Sequence, residues 1–268
     1  MKRKNKRLWS TLLATFIIVV GLGYVVAVKV FKNQKEVVPA AEDINQFIAQ
    51  QKTTDVITDL KATAEEKPLP AEINLKVPFY PQAPFGNWAM PWQEACEEAS
   101  VLLVANAYYE HNWSRDEFNT QILTLVDWEN QTFGDYKHTD VAQTAEMLND
   151  YLHLRTIIHE NPTVDDVKKV LAQGHLIVMT FAGKHLANPN YKNGGPNYHA
   201  MVIKGYRKDG KIITDDVGTR NGEDYVYTWD TLQNSLHDYA EPIENGAKKM
   251  IEVLPPESLP STTPNAQK

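Results

Sequence analysis

The sequence predicts an α+β domain, with helices in its first half and an antiparallel sheet in its second. Three observations support this class. Between residues 93 and 174, apolar residues recur with helical spacing behind polar helix caps. From residue 175 onward, short apolar runs alternate with turn residues, which is typical of strands. Hydrophobic residues make up 43% and charged residues 23% of the chain, the balance of an ordinary globular protein.

The first half contains four predicted helices. The first runs over residues 93–110, because an apolar stripe that begins at Cys96 repeats with helical spacing. The other three are predicted at 114–126, capped by Ser114 with Glu117, at 139–151, capped by Thr139, and at 163–174, capped by Thr163 and ended by Gly174.

The second half supplies most of the sheet. Lys208-Asp209-Gly210 predicts a hairpin turn between strands at 199–207 and 211–216. Further strands are predicted at 75–80, 153–158, 175–182, 224–229 and 248–254, with a short helix at 230–239.

Residues 1–35 have the composition of a membrane anchor. Five positive charges in residues 1–7 precede 21 uncharged residues, 8–28. As a helix these span about 31 Å, the thickness of a bilayer core. Five basic residues before this segment against three lysines after it favour a cytoplasmic N-terminus and an outward-facing domain. A cleaved signal peptide is the alternative, but it has a shorter apolar region. We therefore expect a single-pass anchor in the cell membrane.

The remaining chain divides into three predicted parts. Residues 29–73 are rich in polar residues and Pro, and such a stretch buries too little apolar surface to offset its ordering entropy, so we expect a stalk. Residues 74–255 are long enough for one domain with its own core. Residues 256–268 are rich in Pro, Ser and Thr, which predicts a disordered tail.

Charge and motifs exclude several functions. Outside residues 1–35 the chain has 19 basic and 34 acidic residues, a poor surface for nucleic acid. One cysteine excludes an intramolecular disulfide. HExxH, CxxC and EF-hand motifs are absent from the sequence, so neither a metal nor a cofactor is expected.

Cys96 is the first candidate for catalysis. A thiol near a helix start has its thiolate stabilised by free backbone amides and the helix dipole, which makes it a nucleophile. A small buried hydrophobic residue is the alternative interpretation of a lone cysteine on an apolar helix face. The nearby Glu94, Glu97 and Glu98 disfavour a thiolate, so a strong partner would have to be a histidine.

His199 and the pair Asp215 and Asp216 could complete a relay. His199 begins one strand of the predicted hairpin, and the two aspartates end the other. A bulge would bring a carboxylate near the imidazole and hold its orientation. A buried strand-end histidine and ordinary turn aspartates remain the alternatives, and strand alternation lets only one aspartate face His199.

Three segments together resemble a known family. VPFYPQAPFGNWAMPWQEACEEAS (77–100), GPNYHAMVIKGY (195–206) and IITDDVGTRNG (212–222) are similar, in this order, to peptidases related to the bacteriocin-leader-processing peptidases, the C39-like members of the papain-like cysteine peptidases. The resemblance spans nearly the whole domain. It implies a papain-like fold in which the cysteine begins a helix and the histidine and aspartate lie on the antiparallel sheet.

The resemblance also implies the roles of single residues. Cys96 would be the nucleophile, His199 the base and Asp216 its orienter, with Asp215 as the alternative orienter. The chain departs from the family's Asn-Asp-Pro-Gly element at Asp215 and Val217. A glutamine would donate to the oxyanion, either Gln82 or, as the alternative, Gln93.

The sequence thus predicts a membrane-anchored, outward-facing cysteine peptidase that cleaves peptide or amide bonds through a thioester. Its expected partners are a peptide or protein substrate and the membrane, but no nucleic acid. Two alternatives stay open: a cell-wall peptide hydrolase or transpeptidase with the same triad, and a non-catalytic peptide-binding surface module.

Overall fold

The structure is a computed structural model that describes residues 36–59 and 68–256. From Val38 onward these residues belong to one compact unit. Its helices are α1 (Ile44–Asp59), α2 (Cys96–Tyr108), α3 (Arg115–Thr132), α4 (Val141–Glu146), α5 (Val164–Ala172) and α6 (Trp229–Ser235). Its strands are β1 (Ile73–Asn74), β2 (Arg155–Glu160), β3 (Leu176–Ala182), β4 (Tyr198–Tyr206), β5 (Ile212–Asp215), β6 (Tyr225–Tyr227) and β7 (Lys249–Leu254).

The strands form one antiparallel sheet, so the predicted α+β class is confirmed. Their order is β2-β7-β3-β4-β5-β6, and β1 pairs with β4 outside this path. Every residue of β3 and β4 is buried, because helices cover the centre of the sheet. The four strands predicted from residue 153 onward outside the hairpin lie within two residues of their expected bounds, and so do the two arms of the hairpin.

The hairpin of β4 and β5 brings the ends of two predicted site segments to one edge of the sheet. Gly210 adopts a φ of 80° in the turn, and its amide donates to Arg207 O at 2.9 Å. The register shifts at a bulge in β4, beyond which Val202 pairs with Asp215. Asp216 therefore follows β5 at the same end of the sheet at which β4 begins.

Helix α2 lies in the interior, against β4 and α3. All of its residues except Ala107 are buried, so it has no solvent face, whereas the sequence predicts a single apolar stripe. It also begins three residues later than expected. Residues Trp92–Glu94 form a separate 3-10 turn, and Ala95, with φ −95° and ψ 37°, interrupts the helical backbone before Cys96.

The cap of α4 differs from the prediction. Asp140, not Thr139, is the N-cap, and its side chain accepts from the Gln143 amide at 2.8 Å. The Thr139 hydroxyl instead donates to Glu129 Oε1 at 2.8 Å. The α-helix ends at Glu146 and continues as a π-helical turn to Tyr151.

The strand expected at 75–80 does not form in that range. Only Ile73–Asn74 forms a strand, followed by one more bond from the Leu75 amide to Lys204 O at 2.9 Å. Pro78 has no amide hydrogen to continue the ladder. The chain therefore leaves the sheet as a loop that carries Gln82 toward α2.

Helix α1 lies within the segment expected to be a stalk. Ile44, Phe47 and Ile48 are buried in the main core, so these few apolar residues, at helical spacing, dock the first turns of α1. Gly174 provides the space, because a Cβ there would lie 2.5 Å from Ile48 Cγ1. The composition of the segment hides this contact, since many of the remaining residues are polar.

The predicted membrane segment, residues 8–28, and the predicted tail from residue 257 lie outside the described residues. Within 36–59 and 68–256, no helix is both long and apolar enough to cross a bilayer.

Candidate active site

Cys96 is the first residue of α2 and is buried. Its thiol donates to Glu97 Oε2 over 2.8 Å. Burial, followed by the charge of Glu97, raises the pKa of the thiol well above its ordinary value. A hydrogen bond from the backbone amide of Ala200 acts in the opposite direction. Ala200 directly follows His199, so the sulfur lies beside the start of β4.

His199 lies in β4 and is almost completely buried. Its Nε2 lies 2.8 Å from Asp216 Oδ1. Because the carboxylate accepts this bond, the proton is on Nε2 and Nδ1 has the free lone pair of a base. The ring also meets Tyr191 edge-on, with centroids 5.5 Å apart. Gly218 is needed here, since a Cβ at this position would lie 2.8 Å from His199 Cε1.

Asp216 is fully buried at the centre of a hydrogen-bond network. Besides His199, its Oδ1 accepts the amide of Gly218 at 3.1 Å. Its Oδ2 accepts three bonds: from Tyr191 Oη at 2.6 Å, Tyr227 Oη at 2.7 Å and Asn188 Nδ2 at 2.9 Å. Burial alone would raise the pKa of Asp216, but the His199 ring and these donors outweigh it, so the pKa lies below its ordinary value.

Asp215 faces away from His199. Its Oδ2 lies 3.6 Å from Lys204 Nζ, and its Oδ1 accepts the Asp224 amide at 3.0 Å. Burial raises the pKa of Asp215 to about 6, against the opposing charge of Lys204. Of the two aspartates that the sequence leaves open, the structure brings Asp216 to the histidine.

The two candidate glutamines differ in position. Gln82 is buried beside the turn that leads into α2, and its Nε2 donates to Trp92 O at 2.9 Å and Gln93 O at 3.0 Å. Its Oε1 is buried without a hydrogen-bond partner. Gln93 is exposed, and its side chain bonds Glu94 at 3.2 Å. Of the two glutamines, only Gln82 therefore lies in the interior, beside the turn that leads to Cys96.

Sequence reasoning missed part of this site. It did not identify Asn188, Tyr191 or Tyr227 as partners of Asp216. The polar loop that contains Asn188 and Tyr191 precedes the histidine strand, which is the one sequence signal that could have indicated them. Tyr227 comes from β6, two strands away from β4, and only the folded sheet brings it to Asp216.

Three glutamates form a second buried group beside Cys96. Glu97, Glu98 and Glu129 are each at most 1% exposed. Burial raises the pKa of Glu97 to about 8 and that of Glu129 to about 7, and it raises that of Glu98 in the same direction. In the part of the chain that the structure describes, no group of three or more side chains is arranged to bind a metal ion.

The chain is similar to known cysteine peptidases in sequence and in fold. Residues 74–243 match the model of the Peptidase_C39 like family. Among solved structures, a C39-like peptidase from Bacillus anthracis is 14% identical, with a TM-score of 0.44, and the match covers 71% of this chain and 98% of that one. Xylellain, a cysteine protease from Xylella fastidiosa, is also 14% identical with a TM-score of 0.44, covering 73% of this chain and 92% of that one. No curated protein sequence matches the chain significantly.

Proposed function

The chain belongs to the Peptidase_C39 like family and is a cysteine peptidase; from this premise we propose that it hydrolyses peptide bonds with Cys96 as nucleophile, His199 as base and Asp216 as orienter. The observation that carries the proposal is the buried bond between His199 Nε2 and Asp216 Oδ1, 2.8 Å long, next to the helix start that carries Cys96. This bond leaves Nδ1 of His199 as the proton acceptor.

The proposed reaction has two halves. The Cys96 thiol gives its proton to His199 Nδ1 while the sulfur attacks the carbonyl carbon of the substrate. The C–N bond then breaks, the proton passes from His199 to the leaving amine, and a thioester remains. Water attacks the thioester, gives one proton to His199, and releases a carboxylic acid as the thiol re-forms. Asp216 stabilises the imidazolium in both halves.

We assign the oxyanion donors to Gln82 and the backbone amide of Cys96. The burial of Gln82 beside the turn before α2 supports this choice over the exposed Gln93. Both amide protons of Gln82 are bonded to backbone carbonyls. The oxyanion would therefore replace one of these two acceptors, and preorganised donors of this kind contribute much of the rate of acyl transfer.

The proposal is tested by incubating the full chain with a peptide library and identifying new termini by mass spectrometry. We expect cleavage by the wild type and a loss of about 10³-fold or more in Cys96→Ser, since the hydroxyl is a much poorer nucleophile. Equal cleavage by Cys96→Ser would refute the assignment. Transfer of the acyl group to an added amine in place of water would favour the transpeptidase, and peptide binding without cleavage would favour the binding module.

The proposal includes a membrane anchor that holds the domain on the outer side. Its support is the apolar segment 8–28 with more basic residues before it than after it. We expect the full chain in the membrane fraction, with its domain accessible to external protease. Ile17→Lys with Val20→Lys should move it to the soluble fraction, because each lysine near the centre of a spanning helix costs about 3 kcal/mol. A wild-type chain found in the soluble fraction would contradict the anchor.

A further inference from the structure

Glu97 contacts the reacting sulfur, and the proposed triad gives it no role. Its Oε2 lies 2.8 Å from Cys96 Sγ. Its other oxygen, Oε1, is buried without a hydrogen-bond partner. The side chain is 1% exposed, so water does not share either oxygen. A buried carboxyl with a single partner makes a strong and directional contact with that partner.

Three other glutamates surround Glu97. Glu94 acts on it from the turn before α2, Glu98 from α2 itself and Glu129 from α3. From β4, Tyr198 lies close enough for the charge of Glu97 to act on it. Neither Lys nor Arg is among the groups that act on these carboxyls in the described residues.

These surroundings decide the protonation of Glu97. A buried carboxylate without a cation is unstable, and neighbouring carboxyls disfavour its charge further. Burial raises the pKa of Glu97 to about 8, against the opposing hydrogen bonds from Cys96 and from its own backbone amide, and the charges of Glu129 and Glu94 act in the same direction as burial. At neutral pH the side chain is therefore mainly a neutral carboxylic acid, which can donate as well as accept a hydrogen bond.

The direction of the hydrogen bond between Cys96 and Glu97 matters once Cys96 loses its proton. In the resting protein the thiol donates to Glu97. A thiolate can only accept, so the same contact persists only if Glu97 has a proton to donate. An ionised Glu97 at this distance would instead repel the thiolate through a poorly screened interior.

We propose that Glu97 is a further catalytic residue, which keeps its proton and donates it as a hydrogen bond to Cys96 when the thiol proton moves to His199. This inference rests on the proposed function of Cys96 and His199. No additional proton leaves the site: the proton of Glu97 stays on its carboxyl group, which turns so that its protonated oxygen, in place of the accepting one, faces the sulfur. Ionisation of Glu97 above about pH 8 then removes the support of the thiolate.

The test is the rate at which iodoacetamide alkylates the full chain, whose only cysteine is Cys96, measured across pH. Two substitutions separate the donor from the charge. Glu97→Gln keeps the shape of the side chain and a hydrogen-bond donor but cannot ionise. Glu97→Met keeps a similar shape but has neither a hydrogen-bond donor nor an ionisable group. Glu252→Gln is the matched control, since it changes a buried carboxylate on β7 that bonds His159 and His175 and not the sulfur.

At neutral pH we expect Glu97→Met to slow alkylation at least tenfold, because a hydrogen bond to a charged group is lost. Glu97→Gln and Glu252→Gln should stay within about threefold of the wild type. As the pH rises through about 8, the rate of Glu97→Gln should increase relative to that of the wild type, in which Glu97 ionises. The ratio of these two alkylation rates follows the fraction of Cys96 that is thiolate. The reason is that a shift in the thiol pKa changes the thiolate fraction more than it changes the intrinsic nucleophilicity of the thiolate.

Three results would overturn the inference. Faster alkylation of both Glu97 variants at neutral pH would mean that Glu97 is ionised there. A wild-type rate in Glu97→Met, or an equal loss in both variants, would mean that no donated bond matters. If Glu97→Met does not fold, the pH trend of Glu97→Gln decides alone, and its absence rejects the inference. Failure of the proposed function looks different, because the native wild type would then alkylate slowly with or without His199.

Discussion

Replacement of His199 by alanine is expected to slow the alkylation of Cys96 at neutral pH by about 100-fold or more. The thiol is buried beside acidic residues, and burial raises its pKa well above the ordinary value. Only a nearby base can generate the thiolate under these conditions, and His199, fixed through Nε2 by Asp216, presents Nδ1 for this purpose. The measurement is the rate of iodoacetamide incorporation, followed by mass spectrometry of the intact chain.

His185→Ala is the matched control. This histidine lies in the turn before β4, is about half exposed, and is 4.0 Å from Glu244. Its removal should leave the alkylation rate within about twofold of the wild type, because exposed side chains contribute little to a buried site. A wild-type rate in His199→Ala would show that Cys96 does not depend on the imidazole, and the residue would then be a buried core thiol.

Replacement of Asp216 by alanine is expected to lower the free energy of unfolding by about 3 kcal/mol or more. The change removes the acceptor of five hydrogen bonds and leaves the donors of His199, Tyr191, Tyr227 and Asn188 without their partner in the interior. A buried donor without an acceptor costs more than the bond contributed. Urea unfolding of the two proteins measures the difference.

The difference in the free energy of unfolding between the wild type and Asp216→Ala should depend on pH in a defined direction. Because the pKa of Asp216 is lower in the folded protein than its ordinary 3.8, its ionised form stabilises the fold above that value. This contribution is lost as the pH falls through the lowered pKa, so the gap between wild type and Asp216→Ala should shrink in acid. Asp230→Ala, an exposed position in the first turn of α6, is the control and should cost less than about 1 kcal/mol. A similar decrease in the free energy of unfolding in Asp216→Ala and Asp230→Ala would show that the hydrogen bonds of Asp216 do not stabilise the fold.

Local patterns predicted much of the secondary structure. The capping box of Ser114 with Glu117 and the cap at Thr163 are present as expected, and so is the turn at Gly210. Each depends on residues within about four positions, where side chain and backbone meet regardless of the remaining fold. The three motifs, in their order along the chain, also indicated the family, and the family model matches residues 74–243.

Long-range placement was harder to predict. The sequence left both Asp215 and Asp216 as candidates for the partner of His199. Which of them faces the histidine depends on the pairing register of β4 and β5, and this register shifts at the bulge in β4. Likewise, the composition of residues 29–73 indicated a stalk, although Phe47 and Ile48 pack into the core. In both cases the deciding contact joins segments that are far apart along the chain.

Residue patterns and motifs were enough to predict the α+β order of elements, the cysteine near a helix start, and the histidine and aspartate pair at one hairpin. The packing of the folded chain was needed to show that Tyr191 and Tyr227 converge on Asp216, and that Glu97 is buried beside the sulfur within reach of the charge of Glu129. The physical reason is that burial sets both the protonation and the hydrogen-bond demand of a polar group. Burial depends on which elements pack together, and residue spacing does not encode that.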